Sequence, residues 1–91
     1  MEKHDVSIEY CVPCSYLPKA VAVVDELMSS YQHVIGRLTL VTGTKGVFDV
    51  RVDDRLIFSR QNIQNRHANP GEITELFREV VGSAVPVYGS D

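Results

Sequence analysis

The chain has 91 residues, room for one domain and too few for two. Its net charge is −3, from 12 acids and 9 bases, and the longest basic neighbourhood is only Arg60 to Arg66, which argues against a nucleic-acid partner. No apolar run approaches the roughly 20 residues of a membrane span, and Met-Glu-Lys-His-Asp at the start lacks the apolar stretch of a signal peptide, so a cytosolic location and no membrane partner are expected.

Residues 1–4 read as a frayed leader. Val6, Ile8 and Tyr10 alternate with Ser7 and Glu9, the period of a half-buried strand. Cys11-Val12-Pro13-Cys14 follows at once. From Leu17 the period changes: Leu17, Ala20, Val21, Val24, Leu27, Met28 and Tyr31 trace one face of a helix, with Lys19, Asp25, Glu26, Ser29 and Ser30 on the other. After Gly36, Leu38 and Leu40 alternate with Arg37 and Thr39 as a second strand. Thr42-Gly43-Thr44-Lys45-Gly46 is a turn by composition. Phe48, Val50 and Val52 then alternate with Asp49 and Arg51, and Asp53-Asp54 connects them in a hairpin to Arg55 to Ser59, with Leu56 and Phe58 on the apolar face.

Residues 60–69 are polar and loop-like. Asn69 as N-cap, Pro70 at the first helical position and Glu72 at capping-box spacing open a second helix. Its apolar stripe is Ile73, Leu76, Phe77, Val80, Val81 and Ala84, with Gly82 near its end and an extended tail over 83–91.

The order β-α-β-β-β-α predicts an α/β (α+β) single domain over 1–91, with its core in 5–82. The first β-α-β unit is expected to be parallel with a right-handed crossover, and the hairpin to add antiparallel strands. Every strand alternates, so one face of the four-stranded mixed sheet is buried and the other wet. Both helices then cover the same face in a two-layer sandwich. Ser7, Glu9, Thr39, Asp49 and Arg51 are expected on the open face, joined there by Val41, Val47 and Ile57, a trio that could support a weak homodimer if the protein is not a monomer.

The chemistry is carried by Cys11 and Cys14. In the cytosol two cysteines are seldom a structural staple. They lie between a strand end and a helix start, where unpaired backbone N–H groups and the positive end of the helix dipole favour a thiolate. A spacing of three lets the sulfurs join across one turn, so one thiolate can attack a substrate disulfide and the other thiol resolve the mixed disulfide. Pro13 stiffens the turn, and Pro18, lacking an N–H, is expected to leave the Cys14 carbonyl without its helical partner. A zinc site needs about four ligands where the chain offers two thiols, with His4 and His33 away from ligand spacing, so no metal is assigned unless one bridges two subunits. The Thr42 to Gly46 segment lacks the phosphate-loop pattern and reads as a strand connection needing positive φ. His67 and Arg66 read as solvated loop residues.

Ile8-Glu9-Tyr10-Cys11-Val12-Pro13-Cys14, an amphipathic helix, Leu40-Val41-Thr42-Gly43-Thr44-Lys45-Gly46-Val47-Phe48-Asp49-Val50 and the hairpin ending Leu56-Ile57-Phe58-Ser59 together resemble the selenoprotein W-related Rdx family. Its members carry Cys-x-x-Cys or Cys-x-x-selenocysteine after a strand ending in Tyr, and Gly-Thr-x-Gly-x-Phe-x-Val at the third strand. The likeness runs from about Val6 to Val81.

The resemblance implies a thioredoxin-like fold and a redox role, with protein disulfides or glutathione mixed disulfides as substrates. Glutathione would then be a redox partner, with no tightly bound cofactor. The family's selenocysteine position falls on Cys14, whereas thioredoxin attacks with the residue corresponding to Cys11, so the order of attack stays open. In a thioredoxin-like arrangement Pro13, Thr44, Lys45 and Gly46 lie beside the cysteines and are candidate substrate-binding residues. Arg60 and Arg66 could attract an anion such as glutathione. Two positions depart from pattern: Gly46-Val47 stands where thioredoxins place a cis-proline, and Asn69-Pro70 where the family often has an aromatic-Pro pair. The two functional classes are a dithiol–disulfide oxidoreductase and a non-catalytic module whose partner affinity responds to oxidation of the pair.

Overall fold

A computed structural model describes residues 2–89; Met1 of the expected leader, and Ser90 and Asp91 of the expected tail, lie outside the described residues. The elements are β1 (His4–Cys11), α1 (Leu17–Tyr31), a short 3₁₀ turn (Gln32–Val34), β2 (Ile35–Gly43), β3 (Phe48–Val52), β4 (Arg55–Ser59) and α2 (Glu72–Val81). The element order is the one the periodicity predicts. The strands lie in the order β2-β1-β3-β4, with β1 parallel to β2 and the other neighbours antiparallel.

The alternating strands send one set of side chains under both helices. Val6, Ile8, Tyr10, Phe48, Val50 and Phe58 pack with Ala20, Val23, Leu27 and Tyr31 of α1 and Ile73 and Phe77 of α2. The Tyr31 and Phe77 rings lie 5.1 Å apart and tie the two helices together. Each buried phenylalanine contributes about 1.5–3 kcal/mol by leaving water, so these aromatics dominate the core. Ser7, Glu9, Thr39 and Arg51 take the open face as expected, while Ile8 and Val50 are fully buried.

The structure corrects the sequence reading in several places. His4 is not frayed: it opens β1, with Nδ1 2.6 Å from Asp53 Oδ2 and its ring edge-on to Phe77. The inward stripe of α1 is Ala20, Val23, Leu27 and Tyr31, which leaves Leu17 and Val21 about half exposed on the helix flank. Leu40 is also exposed, because β2 is an edge strand. Asp49 is buried, and its carboxylate accepts the Ser59 hydroxyl at 2.7 Å at the end of β4. A bulge in the β3–β4 pairing sets Phe58 against Val50 and Leu56 against Arg51, and the extra residue, Ile57, joins the core. The expected open-face trio of Val41, Val47 and Ile57 therefore does not form.

Asp53 and Asp54 both take positive φ, the backbone a two-residue hairpin turn needs. Helix α2 starts later than expected, with Gly71 and not Asn69 as N-cap. Glu72 still reaches back over the start of the helix, where its Oε1 accepts the Asn69 N–H at 2.9 Å. Ala84 lies beyond the helix, which Gly82 ends. The tail is not simply extended. It turns at Gly82–Val85 and returns to α1, where the Tyr88 N–H donates to the Ser30 carbonyl and the Tyr88 ring meets His33.

Candidate active site at the end of strand β1

The sheet order dictates the setting of the cysteines. Because β1 lies between β2 and β3, the β2-to-β3 connection must pass over the carboxyl end of β1, where Cys11 sits. That connection turns at Lys45 and Gly46, both at positive φ, with the Val47 N–H donating to the Thr44 carbonyl. The expected positive φ is thus real at Gly46. Gly43 has a different reason to be glycine: a Cβ there would stand 2.7 Å from Val47 Cγ1 and 3.0 Å from Glu9 Oε2.

The crossing connection grips the start of the cysteine turn. The Cys11 N–H donates to the Val47 carbonyl at 2.9 Å, and the Val12 N–H to the Gly43 carbonyl at 3.0 Å. The turn then closes on itself. Ser15, at positive φ, donates its N–H to the Val12 carbonyl, and the Tyr16 N–H reaches the Cys11 carbonyl at 3.3 Å. Cys11 and Cys14 are joined as a disulfide with their Cα atoms 5.3 Å apart, inside the normal range for the bond.

The two cysteines are unequally exposed. Cys11 is fully buried, whereas Cys14 is exposed, as are its neighbours Val12 and Pro13. A bulky disulfide can approach an exposed residue and not a fully buried one, so Cys14 is the accessible member of the pair.

Helix α1 begins at Leu17 with Tyr16 as N-cap, so Ser15 and Tyr16 separate Cys14 from the helix. No side chain caps this helix start. Its first backbone bond runs from the Ala20 N–H to the Tyr16 carbonyl. The Cys14 carbonyl is therefore outside the helix, and Pro18 occupies the first turn, where a missing N–H costs nothing; the expected loss of a partner for Cys14 does not arise.

Pro13 lies in the turn itself, and Thr44, Lys45 and Gly46 lie on the connection that holds it. Thr44 and Lys45 are exposed and Gly46 half-buried on the connection beside the cysteines. Their carbonyl oxygens are already engaged: Thr44 accepts from Val47, Lys45 from the Gln61 side chain, and Gly46 from Arg60 at 3.4 Å. Arg66 is neither simply solvated nor free for an anion, because it makes a two-pronged pair with Glu72 at 2.7 and 2.8 Å.

Two residues matter here that the sequence reading treated as surface or left without a role. Tyr16 packs its ring edge-on to His67 at 4.8 Å, and the Arg60 guanidinium lies 5.9 Å from the centre of the same ring. His67 is thus half-buried, not a solvated loop residue. Burial first, and then the Lys19 and Arg60 charges, hold its imidazole below the usual histidine range. The only sequence signal for this cluster is an aromatic two residues after Cys14 and a histidine just before α2.

Comparison with known proteins agrees with this architecture. The Rdx family model matches residues 5–79. A crystal structure from Bordetella parapertussis is similar at a TM-score of 0.81 and 24% identity, over 87% of this chain and 99% of that one. The crystal structure of a selenoprotein W-related protein from Vibrio cholerae gives 0.83 and 18%, over 89% and 100%. No curated protein matches the sequence. The fold is the thioredoxin-like α+β sandwich.

Proposed function

This chain belongs to the Rdx family, and on that premise we propose that it is a thiol–disulfide oxidoreductase in which Cys14 exchanges with substrate and Cys11 resolves. The single observation that carries the assignment of roles is the contrast between an exposed Cys14 and a fully buried Cys11 held by the Val47 carbonyl.

In the reduced protein the Cys14 thiolate attacks one sulfur of a substrate disulfide. A mixed disulfide forms, and the other substrate sulfur leaves as a thiolate. Cys11 gives its proton to that leaving thiolate, directly or through water, and its own sulfur attacks Cys14. The mixed bond breaks, the Cys11–Cys14 disulfide forms, and the second substrate thiolate leaves and is protonated from solvent, replacing the proton the Cys14 thiol had given up. Two electrons pass from the dithiol to the substrate. A thiol such as glutathione, two molecules per cycle, or a second dithiol protein returns them.

Substrates of this reading are protein disulfides or glutathione mixed disulfides. No helix among the described residues is long and apolar enough to cross a membrane, and the reading places the protein in the cytosol, where the reducing poise would keep returning the pair to the dithiol.

The test is stoichiometric oxidation of the reduced protein by glutathione disulfide and by a peptide disulfide, without oxygen. The reading expects one Cys11–Cys14 disulfide formed and two substrate thiols released per protein, faster than with free dithiothreitol at equal thiol. A reduced protein that neither disulfide oxidises would overturn it.

A further inference from the structure

Between α1 and the loop before α2 lies a cavity of about 260 Å³. Its lining includes buried Val23 and Phe48, with Ala22, Ala68, Pro70 and His67 around them. His67 is also the residue packed on Tyr16, whose N–H closes the cysteine turn onto the Cys11 carbonyl. Phe48, the other ring that Tyr16 meets, follows Val47, whose carbonyl holds the Cys11 N–H, so two lining residues of the cavity touch the residues that shape the cysteine turn.

The chemistry of that lining selects the ligand. The volume falls below the roughly 300–1,000 Å³ of sites built for whole small molecules, and suits a single large side chain. The lining is mostly apolar, and burial, with the Lys19 and Arg60 charges, holds the His67 imidazole below the usual histidine range. Of the charged residues along it, Glu26 is already engaged by the Gly71 N–H at 3.0 Å. Lys19 is exposed, and neither it nor Arg60 has a carboxylate partner among the described residues. Exposed Lys19 is thus a cation without such a partner at the cavity's edge, while the Glu26 carboxylate, still charged, is held on the Gly71 N–H above the apolar floor.

We propose that this cavity is a specificity subsite for protein substrates, taking a large apolar side chain near the substrate's half-cystine, with Lys19 favouring an acidic neighbour. The proposal rests on the redox reading of the Cys11–Cys14 pair and narrows its substrate class to polypeptide disulfides. Glutathione offers no side chain of this kind. An aromatic anchor in a desolvated pocket is the usual source of affinity at protein contacts, and complementary charge at the rim sets partner choice.

The test compares reduced protein with three short peptide disulfides that differ only in the pair beside the half-cystine: Phe-Asp, Gly-Asp and Phe-Lys. Glutathione disulfide serves as the redox reference. The Phe-Asp peptide should exceed the Gly-Asp peptide in kcat/KM by at least about tenfold, the scale expected for burying one large apolar side chain. Ala22→Trp, at an exposed position of α1, should collapse that ratio towards one, and Lys19→Glu should reverse the preference between Phe-Asp and Phe-Lys.

A cysteine-free N-acetyl-Phe-Asp amide separates the subsite from the chemistry. It should shift the Ala22, His67 and Ala68 amide resonances saturably in the wild-type protein and not in Ala22→Trp. If no disulfide reacts, glutathione's included, the redox reading fails while this titration still decides the subsite. Equal rates for the Phe-Asp and Gly-Asp peptides, or no saturable shifts, would overturn the proposal.

Discussion

Val47 stands over Gly43 so closely that a methyl group on Gly43 would lie 2.7 Å from Val47 Cγ1. The two residues flank the connection whose carbonyls hold the Cys11 and Val12 N–H groups, so their contact sets the seat of the buried cysteine. Gly43→Ala should therefore cost about 1–3 kcal/mol of unfolding free energy, the scale of overpacking a tight site. Adding Val47→Ala should return part of that loss. Urea unfolding of the two single variants and the double variant checks this; fully additive losses would show that the contact does not matter.

The Glu72 carboxyl lies at about 2, below its ordinary 4.5, chiefly because Arg66 bonds it and then because it accepts the Asn69 N–H. A depressed carboxyl contributes stability that is present above its unfolded value and lost as pH falls through the folded one. The window is therefore pH 4.5 down to about 2. Glu72→Gln should lower stability at pH 7 by about 1 kcal/mol, the scale of a solvent-screened pair. The gap from wild type should close as the pH approaches 2. Unfolding midpoints at several pH values measure it, and a gap that persists undiminished at pH 2 would contradict the assignment.

His67 is held below the ordinary 6.5 by burial, with Lys19 and Arg60 adding to the shift. The folded state thus favours the neutral ring, so the stability linked to it is present above pH 6.5 and declines as pH falls below that value. Ring carbon shifts should report titration below 6.5, and Lys19→Gln should move the midpoint upward by less than half the total displacement. A midpoint at or above 6.5 would mean that the ring is solvated.

The sequence made some of this plain and could not have carried the rest. Alternation at Val6, Ile8 and Tyr10 locates β1, and the change of period at Leu17 locates α1, so the cysteines fall between them without any structure. The periodic stripe from Leu17 to Tyr31 is rotated from the buried one, which includes Val23 and leaves out Leu17 and Val21. Whether Val23 or Val21 turns inward depends on where α2 and the loop before it dock, which no local pattern records. Ile57 is similar: one bulge opposite Val50 and Arg51 moves it into the core. The burial of His67 comes from Tyr16, a partner far away in the chain. Above all, the unequal exposure of Cys11 and Cys14 arises because the strand order brings the β2-to-β3 connection over β1, a fact of topology and not of spacing.

The division of labour between the cysteines is tested most directly by trapping. Reduced Cys11→Ser and Cys14→Ser variants are each mixed with one peptide disulfide, and the adducts are read by intact mass and peptide mapping. The account predicts a stable mixed disulfide on Cys14 in the Cys11→Ser variant and almost none on the buried Cys11 in the Cys14→Ser variant over the same time. Accumulation on Cys11, with Cys14 left free, would contradict it.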